Sequence, residues 1–428
     1  MTNGTTTKKN YALPIAIMIA LFFMIAFVTG LQNPLGVIVK SQFELSNFQS
    51  QLGNLMNFLA YLCMGIPAGM LLQRIGYKKT ALAAVTVGFI GVGITFISGT
   101  MDSFPVYLAG AFISGFSMCM LNTVVNPMLN TLGGGGNKGN QLIQIGGVFN
   151  STAATLAPVL GGYLIGDLAG ARISNADPVL FLAMGIFAVA FIVLFFSRIP
   201  EPYVVQKEKS AVKDSHSAWS FRHFKLGILC IFIYVGVEVG IPNIMNLFMT
   251  DPVTGQGIDA AIAGSVVGTY WLLMLVGRFI GGVIGAKVSS KSMLTTAAGI
   301  GIILMLLAIF MPTSHIVNMP VMRGDLSFGL ENVPVNCLFL VLCGLCTSVM
   351  WGVIFNLAVE GLGKYTSAAS GIFMMMVCGG GILPAVQSAI ADSVGFLNSY
   401  WLLVAGFVYM LYYALAGSKN VNKDIKTE

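Results

Sequence analysis

The sequence predicts an all-α integral membrane protein with twelve transmembrane helices in two pseudo-symmetric six-helix bundles. Three observations predict it. Of 428 residues, 56% are hydrophobic and only 9% charged, a composition outside that of soluble domains. Apolar stretches long enough to cross a bilayer recur along the whole chain. Basic residues gather on alternate connections, as expected of a multi-pass protein whose cytoplasmic loops are positive. The spans are read as helices because lipid offers no partner to backbone polar groups and the runs are too long for barrel strands.

In chain order, helices 1 to 12 fall at 12–39, 50–72, 80–98, 105–131, 141–166, 178–197, 224–249, 260–285, 292–311, 334–359, 367–391 and 397–416. With both termini cytoplasmic, the cytoplasmic segments hold 19 of the 22 basic residues, Arg74, Lys78, Lys79 and Arg278 among them. Lys40, Arg172 and Arg323 fall outside that set. Residues 198–223 are charged and polar, and read as a cytoplasmic linker between an N-terminal bundle (1–197) and a C-terminal bundle with a cytoplasmic tail (224–428). The net charge of +6 then reflects topology and anionic lipid headgroups, not nucleic acid. The segment 312–333 reads as a solvated outer loop. The first apolar run is too long for a cleaved signal peptide and lacks a cleavage pattern. Seven cysteines, mostly within helices, and three histidines in loops or at a helix end, with no His cluster, argue against a metal, a cofactor or an enzyme site.

One acid stands in the middle of an apolar run. No lysine or arginine lies within ten residues of Glu238 on either side. An intramembrane carboxylate costs about 3 kcal/mol even on lenient insertion scales, so it faces a cavity, a partner or an ion path. Helix 1 is interrupted at Gln32-Asn33-Pro34 and its counterpart, helix 7, at Ile241-Pro242-Asn243. Matched breaks in two halves point to a central transport site, where carbonyls freed at Pro242 would help hold an ion beside Glu238. A structural hydrogen bond from Glu238 to Asn33 or Tyr234 is the plainer alternative.

Amides surround this acid in the sequence pattern. Asn33, Asn57, Asn122, Asn126, Asn150, Asn243, Asn356 and Gln387 are spread over helices 1, 2, 4, 5, 7, 10 and 11. Each offers paired donors and acceptors, which suits a polyhydroxylated, uncharged ligand. Interhelical hydrogen bonding, about 0.6 kcal/mol per contact, is the alternative use of any one of them. Tyr234, Trp271 and Trp351 fall near mid-helix, where they can stack on the apolar face of a sugar ring or pack in the core.

The loop between helices 2 and 3 carries Gly69, Gln73, Arg74, Gly76, Lys78 and Lys79. It resembles the signature cytoplasmic loop of the major facilitator superfamily, with Gln73 at the usual aspartate. Its basic residues can lock onto neighbouring helix C-termini and gate the inward face. A finer resemblance, to the fucose–proton symporter family, rests on Leu45 to Gln49, Ile66 to Gly69, Asn126-Pro127, Phe149 to Ser151, Tyr234 to Gly236, Gly277 to Gly281 and Gly379 to Pro384. It implies import of hexoses or deoxyhexoses such as fucose, glucose and galactose, with protons or sodium, across a bacterial cytoplasmic membrane.

The departures from that family are informative. Fucose permeases place an aspartate at Asn33 and a glutamate at Asn122, whereas Glu238 stands where they carry an amide. An amide cannot carry a proton at working pH. The acid has therefore moved to the other half, and the expected function is hexose import coupled to a proton or sodium through Glu238. Uncoupled sugar uniport with a structural Glu238, and export of another small molecule, are the alternatives on the same fold. The expected partners are a sugar and the lipid bilayer, with the chain acting as a monomer.

Overall fold

The structure, a computed structural model, describes residues 11–45, 49, 52–165, 171–201, 216–323, 325–422, 424–425 and 427. Among the described residues, ten helices are long and apolar enough to cross a membrane. One of them, Leu52–Thr100, has 49 residues. At 1.5 Å per residue it would be about 74 Å long, twice what a bilayer needs. It turns at Gly76 (φ 82°, ψ 177°) and so contains helices 2 and 3. Gly136–Ile165, with 30 residues, is helix 5. Helical segments thus stand at all twelve expected positions. The others are Ala12–Gly30 continued by Gln32–Gln42 (helix 1), Phe104–Leu132 (4), Asp177–Phe196 (6), Arg222–Thr250 (7), Ala260–Ile284 (8) and Ser290–Phe310 (9). Val335–Val359, Gly363–Val394 and Phe396–Gly417 are helices 10 to 12.

These helices are apolar on every side, as a bilayer requires. On helix 6, Val179, Ala183 and Phe187 face the bundle while Phe181, Val189, Ile192 and Phe196 point outward. Small residues and hydroxyls, rather than a hydrophobic drive, hold such helices together. Ser117 Oγ donates to the Ala84 carbonyl at 2.6 Å between helices 4 and 3. In the second half, the Tyr400, Tyr409 and Tyr413 hydroxyls of the helix 12 segment donate to backbone carbonyls of Ile241, Leu226 and His223 on helix 7.

The alternation of helix directions places residues 198–201 and 216–221, which flank helices 6 and 7, and both described chain ends on one side, here called the linker side. The opposite side carries a β-hairpin. The segment expected to be a solvated loop is instead β1 (Ile316–Met322) and β2 (Phe328–Pro334), paired antiparallel from Ile316↔Pro334 to Met322↔Phe328. Met319, Val321 and Val333 are buried, while Phe328 and Leu330 face out. The Met322 N–H donates to Thr269 Oγ1 at 2.9 Å, fastening the hairpin to helix 8.

The two halves meet on the linker side. A Cβ at Gly69 of helix 2 would stand 3.0 Å from the Gly371 Cα of helix 11, so only glycine permits this approach. Between helices 5 and 8–10, Gln141 Nε2 donates to the Gly282 carbonyl (3.0 Å) and Gln144 Nε2 to the Val349 carbonyl (2.7 Å). Toward the hairpin side Ala154 and Gly264 are exposed, and a cavity of about 580 Å³ opens between helix 5, helix 8 and the hairpin.

Candidate functional site

The site begins with Pro242. Proline has no N–H, so the carbonyl four residues earlier, that of Glu238, loses its helical donor. The Tyr270 hydroxyl of helix 8 supplies one at 3.0 Å and lies 3.1 Å from Thr347 Oγ1. Helix 7 therefore runs unbroken through Pro242, and the expected interruption there is absent. The carbonyl that an ion was expected to use is already occupied.

The Glu238 carboxylate points into the protein. Its Oε1 accepts from the Tyr234 hydroxyl at 2.8 Å and from Arg278 Nη2 at 3.2 Å. Both side chains of the Glu238–Arg278 pair are only 12% exposed. Arg278 was expected at the cytoplasmic flank of helix 8; it lies inside the bundle instead, because the acid and four further acceptors draw it in. The Ser348 carbonyl accepts from Nε at 3.3 Å. Nη1 donates to the Gly147 carbonyl (3.4 Å), Asn150 Oδ1 (3.3 Å) and Ser151 Oγ (2.8 Å). One guanidinium thus ties helices 7, 8 and 10 of the second half to helix 5 of the first. Gly147 makes room for it, since a Cβ there would stand 3.2 Å from Arg278 Cδ.

A second polar arm also crosses the halves. Trp351 Nε1 of helix 10 donates to Asn126 Oδ1 of helix 4 at 3.0 Å. Asn126 Nδ2 donates to the Asn122 carbonyl (2.9 Å), and Asn122 Nδ2 donates to the Tyr61 hydroxyl (2.9 Å). The arms meet where the Tyr234 and Trp351 rings stand edge-on with centroids 6.4 Å apart. Tyr234, Glu238, Asn122, Asn126, Asn150 and Trp351 are thereby gathered at the junction of the halves. The single ion pair is internally neutral, and the remaining groups are amides, hydroxyls and aromatic rings. Such a surface matches an uncharged polar ligand better than an ion. Among the described residues no group of three or more His, Cys, Asp or Glu side chains comes together.

Other expected site residues lie apart. Asn57 is buried against helix 4, with Oδ1 2.8 Å from where a Gly115 Cβ would be. Asn243 is exposed on helix 7. Asn356 Nδ2 donates to Ser290 Oγ at 2.8 Å, at the linker-side start of helix 9. Gln387 is buried near the hairpin side, with Nε2 3.5 Å from Ser399 Oγ. Trp271 is 37% exposed and shares a face of helix 8 with Arg278, seven residues away. The side chain of Asn33 lies outside the described residues.

The loop after helix 2 makes contacts that its sequence only partly shows. A Cβ at Gly76 would stand 2.6 Å from Glu201 Oε2. That carboxylate accepts from the N–H groups of Tyr77 (2.6 Å) and Lys78 (3.0 Å), an acid at a helix N-terminus. Lys78 Nζ donates to the Phe195 and Ser197 carbonyls at the end of helix 6 (2.8 and 2.7 Å). Arg74 and Lys79 are exposed, and Gly69 belongs to the helix 2–helix 11 contact. Glu201, Arg278, Tyr270 and Ser151 are participants that were not among the expected site residues.

Among the described residues, helical segments at the twelve expected positions that meet around buried polar groups have the form of a membrane transporter. Residues 17–385 match the family described as Major Facilitator Superfamily. The chain belongs to that superfamily, and within it to the fucose permease-like family; it is a transporter, not an enzyme. It is 32% identical over 424 residues to a glucose/galactose transporter of Brucella abortus, covering 97% of each chain. It is 24% identical over 422 residues to the L-fucose-proton symporter of Escherichia coli, covering 93% of this chain and 91% of that one. The solved Escherichia coli fucose:proton symporter superposes with a TM-score of 0.77 at 20% identity, covering 94% of this chain and 98% of that one. A structure of FucP in the outward conformation gives the same TM-score at 21% identity, with the same coverage.

Proposed function

We propose that this protein imports a neutral hexose, glucose, galactose or a close relative, by alternating access driven by a proton gradient acting on Glu238. The observation that carries the proposal is the buried Glu238–Arg278 pair at the junction of the halves. Relatives named as a glucose/galactose transporter and a fucose-proton symporter support the substrate class. The positive-inside rule makes the linker side cytoplasmic, with both termini inside and a single chain as the unit in a bacterial cytoplasmic membrane. Closure on that side then corresponds to an outward-facing state.

The pair supplies the coupling logic. Ionised Glu238 neutralises Arg278, which in turn holds helix 5 against helix 8. Protonation leaves the guanidinium with neutral acceptors only, and a buried cation without its counter-charge costs about 3–5 kcal/mol. Hydration relieves that cost once helices 5 and 8 part on the cytoplasmic side. A proton arriving from outside therefore favours opening inward, and its loss inside lets the pair and its helix 5 contacts re-form. Bound sugar, held by Asn122, Asn126 and the ring of Trp351, replaces the contacts that the halves give up as they rock. A sodium ion would have to displace the guanidinium already on the carboxylate, whereas a proton needs no added room. The gating loop acts on the same side, with Lys78 fixing helix 3 to helix 6 as the first half moves. Because the pair is internally neutral, uncoupled uniport with a structural Glu238 is the second reading.

Uptake of labelled d-glucose and d-galactose into proteoliposomes under imposed proton or sodium gradients separates these readings. Wild type is expected to accumulate hexose under a proton gradient, and Glu238→Gln to equilibrate it without accumulation. Accumulation by Glu238→Gln overturns the coupling role. Accumulation by wild type under a sodium gradient alone overturns the proton. Equilibration without accumulation by wild type supports uniport. Failure of any hexose to enter overturns the substrate.

A further inference from the structure

The cavity on the hairpin side lies outward of the central site. It holds about 580 Å³, within the range of small-molecule sites. Thr155 of helix 5 forms one wall, Gly264, Ser265 and Gly268 of helix 8 another, and the hairpin turn the third. Gly268 stands ten residues of helix, or about 15 Å, from Arg278, and Thr155 stands one turn beyond Ser151, so this cavity lies just outward of the Glu238–Arg278 pair and is lined by none of its partners.

The hairpin turn is a built surface rather than a loose loop. Arg323 Nη2 pairs with Glu331 Oε1 at 2.9 Å across the strands. The guanidinium lies over Gly329, where a Cβ would stand 2.5 Å from Arg323 Cζ. Asp325 Oδ1 accepts from the Ser327 N–H (2.9 Å) and Oγ (2.6 Å). Leu326 is held at φ 65°, a left-handed conformation costly for a branched side chain. Arg323, Asp325, Leu326 and Glu331 all line the cavity. Carboxylates that accept hydroxyl protons, a guanidinium that donates to hydroxyl oxygens, and the apolar Leu326 and Ile262 beside them suit a polyol with one C–H face. Two acids disfavour an anion there, and Arg323 disfavours a free cation.

One face of helix 8 joins the two sites. Gly264, Gly268, Trp271 and Arg278 stand at i, i+4, i+7 and i+14, near one line along the helix. The glycines leave bare backbone below the hairpin, then comes an indole, then the ion pair. We infer that this cavity is an outer binding site for a neutral hexose, which loads there before passing along helix 8 to the central site. The inference rests on the hexose reading above.

Equilibrium binding of labelled d-glucose to the purified full chain in lipid nanodiscs tests it. Wild type is expected to hold two molecules per chain at saturation. Gly264→Trp fills the cavity from a position where an added Cβ meets nothing within 4 Å, and is expected to hold one. The molecule retained reports that this variant is folded. Asp325→Asn, which keeps an acceptor for Ser327, is expected to weaken the outer molecule and leave the inner affinity unchanged. One molecule in wild type, or two in Gly264→Trp, overturns the outer site while the hexose reading stands. No glucose or galactose bound by wild type overturns both.

Discussion

The linker side and the hairpin side of the junction are built from different chemistry. On the linker side the halves touch through glycine backbones, Gly69 against Gly371, and through amide bonds from Gln141 and Gln144 to backbone carbonyls. On the hairpin side, helices 5 and 8 stand apart around a charged turn. Each amide bond is worth about 0.6 kcal/mol, too little by itself to lock a transporter shut. Breaking a buried ion pair costs about 3–5 kcal/mol. The Arg278 charge that reaches across therefore outweighs the neutral contacts named here, and in the proposed mechanism the acid that balances it controls the closed side.

The largest expected effect follows from removing that charge. Arg278→Met leaves Glu238 buried and unpaired, so thermal unfolding should show a loss of about 3–5 kcal/mol, with transport abolished. Combining it with Glu238→Gln should recover most of that stability without recovering gradient-driven accumulation. Full stability in Arg278→Met alone would mean that the pair does not hold the halves.

Tyr270→Phe comes next. It withdraws the hydroxyl that satisfies the Glu238 carbonyl exposed by Pro242, which should cost about 1–3 kcal/mol. Accumulation ratios should survive, since the carboxylate keeps Tyr234 and Arg278. Gln144→Ala should be milder, about 0.6 kcal/mol, enough to shift a near-balanced equilibrium toward linker-side opening. Spin-label distances between the linker-side ends of helices 5 and 8 should lengthen in part of the population, while labels on the hairpin turn and the outer end of helix 5 draw together.

The smallest effect concerns pH on the hairpin side. Hydrogen bonds from Ser327 hold the Asp325 carboxyl below the usual range, and backbone N–H groups of Thr254 and Val253 do the same for Asp251. A depressed carboxyl stabilises fully above its ordinary value, about 3.9. That contribution is lost only as pH falls through the lower folded value. Amide exchange at Ser327, Val253 and Thr254, corrected for its intrinsic pH dependence, should therefore show constant protection between pH 7 and about 5. Lost protection in that window would mean that hairpin-side charges also sense the proton gradient.

The fold was legible because a bilayer marks each span with an apolar run, whatever the neighbouring helix. The faces of those spans were not legible. Lipid and protein interior are equally apolar, so sequence periodicity does not say where an amide points. Asn122, Asn126 and Asn150 point to the junction, while Asn356 and Gln387 point to other helices. Glu238 and Tyr234 could be paired from their spacing of four. Arg278 lay within the expected span of helix 8 and was still assigned to its flank, because only the folded chain brings it to an acid forty residues away. The alternation of Val317, Met319 and Val321 signalled a strand, but the charges at Arg323 and Asp325 gave that segment the appearance of a loop. Pro242 announced a freed carbonyl, and nothing local announced Tyr270 as its donor.

Proton movement recorded alongside hexose entry tests the central claim most directly. Proteoliposomes without an imposed gradient, given external d-glucose or d-galactose in weakly buffered medium, should make that medium more alkaline as sugar enters. The Glu238→Gln protein should admit sugar with no such change. Hexose entry with no alkalinisation in wild type, or alkalinisation that persists in Glu238→Gln, would contradict coupling through the Glu238–Arg278 pair.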